Sequence, residues 1–186
     1  MRLFPALVLA LALPLPLWPA TAHVLGAESP PPGCARPDAG SSPPAVSDDV
    51  VRGLLEWIGG ATDYDIGPSL AAPPEIGFCR VGEWVEYEDN RFLVEEDLRA
   101  VYDWPNRRVL IVAPWDPADK RDLSILLHEL VHHVQMQARD WECLQASEWQ
   151  AYKLQERWLA EQGIDAGFDW LHIYFLSRCP RDIHPD

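Results

Sequence analysis

Residues 119–138 read Asp119-Lys120-Arg121-Asp122-Leu123-Ser124-Ile125-Leu126-Leu127-His128-Glu129-Leu130-Val131-His132-His133-Val134-Gln135-Met136-Gln137-Ala138. Leu123, Leu127, Leu130, Val131 and Val134 recur at the spacing of one helix face. Asp119 is a helix N-cap, with Asp122 three residues on in capping-box position. His128 and His132 fall on nearly the opposite side, beside Ile125 and Met136. Residues four apart on a helix differ by about 40° around the axis and about 6 Å along it, so both imidazoles can reach one Zn²⁺. Glu129 lies roughly 100° round from His128 and can lean toward a zinc-bound water without ligating the metal.

A catalytic zinc needs a third protein ligand and one open position. The next amphipathic stretch starts near residue 146 and runs to about 162, where Gly163 ends it. The connection is short, about seven residues, so the two helices are expected to lie antiparallel and adjacent. Glu148, Glu156 and Glu161 are the carboxylates on offer there. The connecting loop is centred near Trp141, nine residues past His132, which puts the level opposite His132 near residue 150. Glu148 and Tyr152 flank that level and share a face with Gln155, whereas Ala151, Leu154 and Trp158 form the neighbouring apolar face. Glu148 is therefore the expected third ligand. Tyr152 is either a hydrogen-bond donor to a developing oxyanion or a packing tyrosine, and His172, with Asp169 three residues before it, competes for the oxyanion role. His133, about 100° round from His132, is expected to face solvent or stand behind the ligands.

Upstream the texture is that of short strands: 76–81, 84–87, 99–103 and 109–113, with Trp104-Pro105-Asn106-Arg107 as a hairpin turn between the last two. Residues 93–98 fit a short helix or a strand, as do 168–176. Ser47 caps a helix in which Val50, Val51, Leu54, Leu55 and Ile58 share a face, and Gly59-Gly60 is its expected stop. The class that emerges is α+β. A single domain over 48–186 holds an N-terminal helix, a short mixed or antiparallel sheet, the HExxH helix and an antiparallel Glu-bearing helix.

The ends read differently. Residues 1–22 carry one charge, Arg2, in a Leu/Ala/Val/Pro run ending in Ala20-Thr21-Ala22, the pattern of a cleaved secretory signal peptide. Residues 23–47 form a Pro-rich linker or arm without apolar period. His23 would become the new N-terminus, a minor candidate for copper. Export to the periplasm or beyond favours bridges among Cys34, Cys79, Cys143 and Cys179. Order along the chain favours Cys34–Cys79 and Cys143–Cys179. No stable membrane insertion is expected after cleavage, because no later apolar run is long enough to span a bilayer. Of the 186 residues, 15 are basic and 29 acidic, a net charge of −14 that turns the surface away from nucleic acid.

His128-Glu129-Leu130-Val131-His132, followed by Glu148 to Tyr152 as Glu-xx-Ala-Tyr, resembles the gluzincin branch of zincin metallopeptidases. More narrowly, it is similar to small exported bacterial HExxH proteins. The resemblance covers roughly residues 73–162. It implies a small mixed sheet packed on the HExxH helix, an edge strand holding extended peptide, and hydrolysis of a peptide or protein substrate by a zinc-activated water with Glu129 as general base. The strand at 109–113 is the expected edge strand. The chain departs from that pattern in its compact interval between His132 and Glu148 and in a C-terminal lobe reduced to 163–186. The alternative reading is a non-catalytic extracytoplasmic zinc-binding protein, with a structural or partner-binding site.

Overall fold

The computed structural model describes residues 46–88 and 90–180. In chain order it contains helices α1 (Asp48–Ala61) and α2 (Gly67–Ala71), then strands β1 (Glu75–Arg80), β2 (Trp84–Tyr87), β3 (Asn90–Leu93), β4 (Ala100–Asp103) and β5 (Arg108–Ala113). Helices α3 (Lys120–Ala138), α4 (Glu148–Glu161) and α5 (Trp170–Leu176) follow, and a 3₁₀ turn, Leu144–Ser147, leads into α4. The class is α+β, as expected. The signal peptide, nearly all of the arm, His23 and Cys34 lie outside the described residues.

The expectation for the strand at 109–113 is corrected. β5 is the central strand of a three-stranded sheet ordered β1-β5-β4, parallel to β1 and antiparallel to β4. Its composition explains this. Val109 and Ile111 pack into the helical core, while Leu110 and Val112 pack with Val85 and Val94 in a second cluster on the other face. A strand covered on both faces reads as an unbroken apolar run. The sheet's edge strands are β1 and β4, and β4 is the one that packs on α3. Val112 N–H donates to Arg99 C=O. By the alternation of an antiparallel ladder, Ala100 and Tyr102 then turn their main-chain groups outward to the free edge.

The sheet lies on α3, whose Leu126, Leu127, Leu130 and Val131 are fully buried. α1 adds Val51, Leu54, Leu55 and Ile58, and α4 adds Ala151, Leu154 and Trp158. Truncating one such leucine to alanine costs about 2–5 kcal/mol. The β2–β3 hairpin is antiparallel and joins no strand of the three-stranded sheet. Its strand β3 precedes 93–98, a stretch that is neither helix nor strand beyond Leu93.

Several local expectations need adjustment. Ser47 does cap α1, accepting from Val50 N–H, but the helix runs through Gly59-Gly60 to Ala61. A Cβ on Gly59 would sit 2.6 Å from Ile66 Cδ1, so that glycine serves close packing rather than termination. Asp119 caps α3 through Arg121 N–H, yet Asp122 does not complete a capping box. Its carboxylate instead accepts from Asp116 N–H and pairs with Arg99. α4 does end at Gly163, whose φ of +74° suits glycine. Residues Trp170–Leu176 are helix, capped by Asp169.

Cys143 and Cys179 are bridged, tying the end of α5 to the loop ahead of α4. Cys79 is also disulfide-bonded. No helix among the described residues is long and apolar enough to cross a membrane.

Candidate metal centre

The polar pairs between α3 and α4 run in falling register. Ser124 and His128 meet Gln155, His132 meets Glu148, and Gln135 meets Ser147 and Gln150. Positions on α4 decrease as those on α3 increase, which is antiparallel packing. Glu148 thereby comes opposite the two histidines. Glu156 is carried away to Trp170 and Lys153, and Glu161 to Trp57 and Arg157.

His128 Nε2 and His132 Nε2 are 3.1 Å apart. Glu148 Oε2 lies 3.3 Å from the first and its Oε1 3.4 Å from the second. The other ring nitrogens are committed. Gln155 donates its amide N–H to Ser124 Oγ, so its Oε1, 3.1 Å from His128 Nδ1, must accept. Ser147 Oγ gives its one proton to Leu144 C=O and can only accept from His132 Nδ1, 3.2 Å away. Gln135 Oε1 accepts from the same nitrogen at 3.0 Å. Both histidines thus carry Nδ1–H, and their Nε2 lone pairs converge beside a carboxylate. Two lone pairs and an anion at these distances repel unless a cation stands among them. His128, His132 and Glu148 form a group that can hold a metal ion.

The electrostatics agree. Burial works against a charged His132, but hydrogen bonding and charge from Glu148 outweigh it and raise its pKa. Burial likewise works against an ionised Glu148. Hydrogen bonding and charge from His128 and His132 in their protonated form prevail and hold its carboxyl well below the usual carboxylate range. The cluster draws positive charge to its centre.

Glu129 stands next to this group and is not part of it. Burial raises its pKa, offset by the two histidines and by a hydrogen bond from the Tyr102 main chain on the free edge of β4. The three cluster residues and Glu129 line a cleft of about 190 Å³ together with Tyr87, Glu88, Trp104 and Tyr152. The Tyr152 ring rests on His128, centroids 4.5 Å apart. A second lobe shares Ala100, His128, Glu129 and Tyr152 and is walled by Leu98, Ile125 and Phe168. The cleft therefore extends to both sides of the cluster along β4.

One expectation fails here, and of the two alternatives for His133 one is excluded. His172 is exposed on α5 and lines neither lobe, and Asp169 caps that helix instead of orienting it. His133 is not solvent-facing: it is fully buried, with Nδ1 2.9 Å from Tyr102 Oη. The residues that the sequence did not single out are Gln135, Gln155 and Ser147, which orient the imidazoles. The available signal was position. Gln155 shares the Glu148 face, and Gln135 stands one turn past His132.

The profile of a family described as a domain of unknown function (DUF6647) matches residues 43–186. No curated protein and no solved structure matches the chain.

Proposed function

The chain belongs to the DUF6647 family, and from that premise we propose that it is an exported, zinc-dependent metallopeptidase. The observation that carries the reading is the donor set. Two imidazole nitrogens and a carboxylate stand 3.1 to 3.4 Å apart. Ligands on a tetrahedral zinc at 2.0–2.1 Å are separated by about 3.3 Å. Nitrogen donors disfavour calcium and magnesium, which take oxygen. His128, His132 and Glu148 would hold the ion, which would supply Lewis acidity and lower the pKa of a water toward about 7.

The chain's own residues supply the rest. Glu129 would take a proton from the attacking water and return it to the amine nitrogen as the C–N bond breaks, a role supported by the burial that strengthens its hold on a proton. Tyr152, lining both lobes, is available to donate to the developing oxyanion. The outward main-chain groups of Ala100 and the C=O of Tyr102, whose N–H is taken by Glu129, can pair with an extended peptide, fixing its carbonyl beside the cluster. A structural zinc would instead need a closed site with a fourth protein ligand. Among the described residues the group has three members and opens onto the cleft. The Cys143–Cys179 bridge supports export to an oxidising compartment.

The test is Glu129→Gln, which keeps the shape and removes the base. Purified wild type and variant should each carry about one zinc per chain. Hydrolysis of a mixed peptide pool should fall by about 10²–10⁴ in the variant. A zinc-loaded wild type that cleaves nothing, or a variant as active as wild type, would overturn the peptidase.

A further inference from the structure

The cleft has one charged group that the chemistry above leaves unused. Glu88 sits at the turn of the β2–β3 hairpin with a φ of +46° and lines the cleft beside the metal cluster. Its main chain is pinned from both sides: its N–H donates to Asp103 Oδ1, and its C=O accepts from Asn90 Nδ2 at 2.9 Å. Asp103 is itself fully buried and already neutralised, with Arg108 Nε at 2.7 Å and Asn106 Nδ2 at 2.9 Å on its Oδ2. Glu88 has no cationic partner, although the Tyr87 phenol hydrogen-bonds its carboxylate. Among the described residues no Lys or Arg pairs with it, and its Oε1 is shut off from solvent without a hydrogen bond. A buried acceptor left in that state is unfavourable until a donor arrives.

Its neighbours define what kind of donor fits. The rings of Tyr87 and Trp104 line the same end of the cleft, and Trp104 is 45% exposed. Aromatic faces beside a carboxylate attract cations by charge and by quadrupole together. The opposite lobe is lined by Leu98, Ile125 and Phe168 together with Asp97 and Arg99, so it carries charges of both signs, whereas no Lys or Arg lines the Glu88 end. Burial first, and then the negative charge of Glu88 and the hydrogen bond to its carboxylate, raise the pKa of the Tyr87 phenol.

We propose that Glu88, flanked by Tyr87 and Trp104, binds a cationic group of the substrate peptide, either its α-ammonium or a Lys or Arg side chain, and thereby selects the substrate. The inference rests on the peptidase reading for what the bound peptide then undergoes, but recognition itself can be measured without turnover.

The experiment uses zinc-loaded Glu129→Gln protein and fluorescent peptides that differ in one feature at a time. Arg is replaced by citrulline, Lys by norleucine, and the free N-terminus by an acetylated one. Cationic peptides should bind about 10- to 100-fold tighter than their neutral counterparts, the range of a charge-assisted hydrogen bond. Adding Glu88→Gln should erase that preference, and Glu88→Lys should turn it toward Glu-containing peptides. A preference lost on acetylation assigns the α-ammonium; one lost on Arg-to-citrulline exchange assigns the side chain. Thermal midpoints establish that both variants fold, and the gain of a new preference in Glu88→Lys cannot come from misfolding. Charge-blind binding, or a preference that survives Glu88→Gln, overturns the proposal even if Glu129-dependent hydrolysis is observed. Selective binding by a protein that cleaves nothing overturns the peptidase and leaves Glu88 as the cation-binding residue.

Discussion

His132 and His133 are consecutive on α3, both are buried, and they end in opposite electrostatic states. His132 points to α4, where Glu148 overcomes the effect of burial and raises its pKa. His133 points to β4 and α2, where burial prevails and lowers its pKa to about 4. Its ring meets Tyr102 Oη on one side and Gln137 Nε2 on the other, and Gln137 donates on to Ser69 Oγ at 2.7 Å. Burial is common to both, so it does not decide what a histidine does here. The partner decides. A carboxylate makes one imidazole part of a group that can hold a metal ion, and neutral partners turn its neighbour into a cross-brace between helix and sheet edge.

The strongest way to break that contrast is to remove each ring in turn. His132→Ala should take zinc from about one per chain to near none. His133→Ala should leave the zinc in place and act on stability, by opening a cavity and stranding the Tyr102 hydroxyl. Metal analysis of the two proteins, beside their thermal midpoints, checks both halves. Full zinc in His132→Ala would remove the metal centre from this position. Zinc loss in a folded His133→Ala would mean that the two regions are one.

A smaller effect sharpens the contrast on the ligand side. Gln155 Oε1 holds the Nδ1–H of His128 and so keeps Nε2 aimed at Glu148. Gln155→Ala should weaken zinc binding by about 10–100-fold, the usual weight of a group that orients a ligand. Gln155→Glu, which still accepts from Nδ1, should recover much of it. A chelator competition titration measures this. Equal affinity for wild type and Gln155→Ala would mean that helix packing alone fixes the ring.

What the sequence made legible follows the range of the interactions. The apolar period of α3, the i,i+4 placement of His128 and His132, and the level of Glu148 across a short connection depend on residues close in the chain. Each could be reasoned out locally. The strand order could not. The uncharged run at 109–113 says that a strand is buried, but not which strands flank it, and β4 holds the edge beside α3 while β1 forms the other edge across β5. The same limit explains His133. Its angle on the helix put it off the ligand face, and only the long-range approach of Tyr102 from β4 buries it. Gln135 and Gln155 were readable as positions, but their function needed the donor directions of Ser147 and Ser124. Gly59 looked like a stop signal because its true neighbour, Ile66, lies beyond the helix end.

The smallest expected effect tests whether the brace is only a brace. Tyr102→Phe removes one oxygen, leaves the ring packed, and deprives His133 Nδ1 of its 2.9 Å partner. An unsatisfied buried nitrogen costs about 1–3 kcal/mol, so the urea midpoint should fall while the slope of the transition stays unchanged. Zinc content should not change, because the hydroxyl touches His133 and none of the three cluster residues. Hydrolysis should stay close to wild type for a related reason. It is the Tyr102 main chain, not its hydroxyl, that bonds to Glu129. A drop in turnover of tenfold or more, with zinc and folding intact, would give the brace a second role. The hydroxyl would then be holding the β4 edge, and with it the Glu129 carboxylate, at the position the reaction requires.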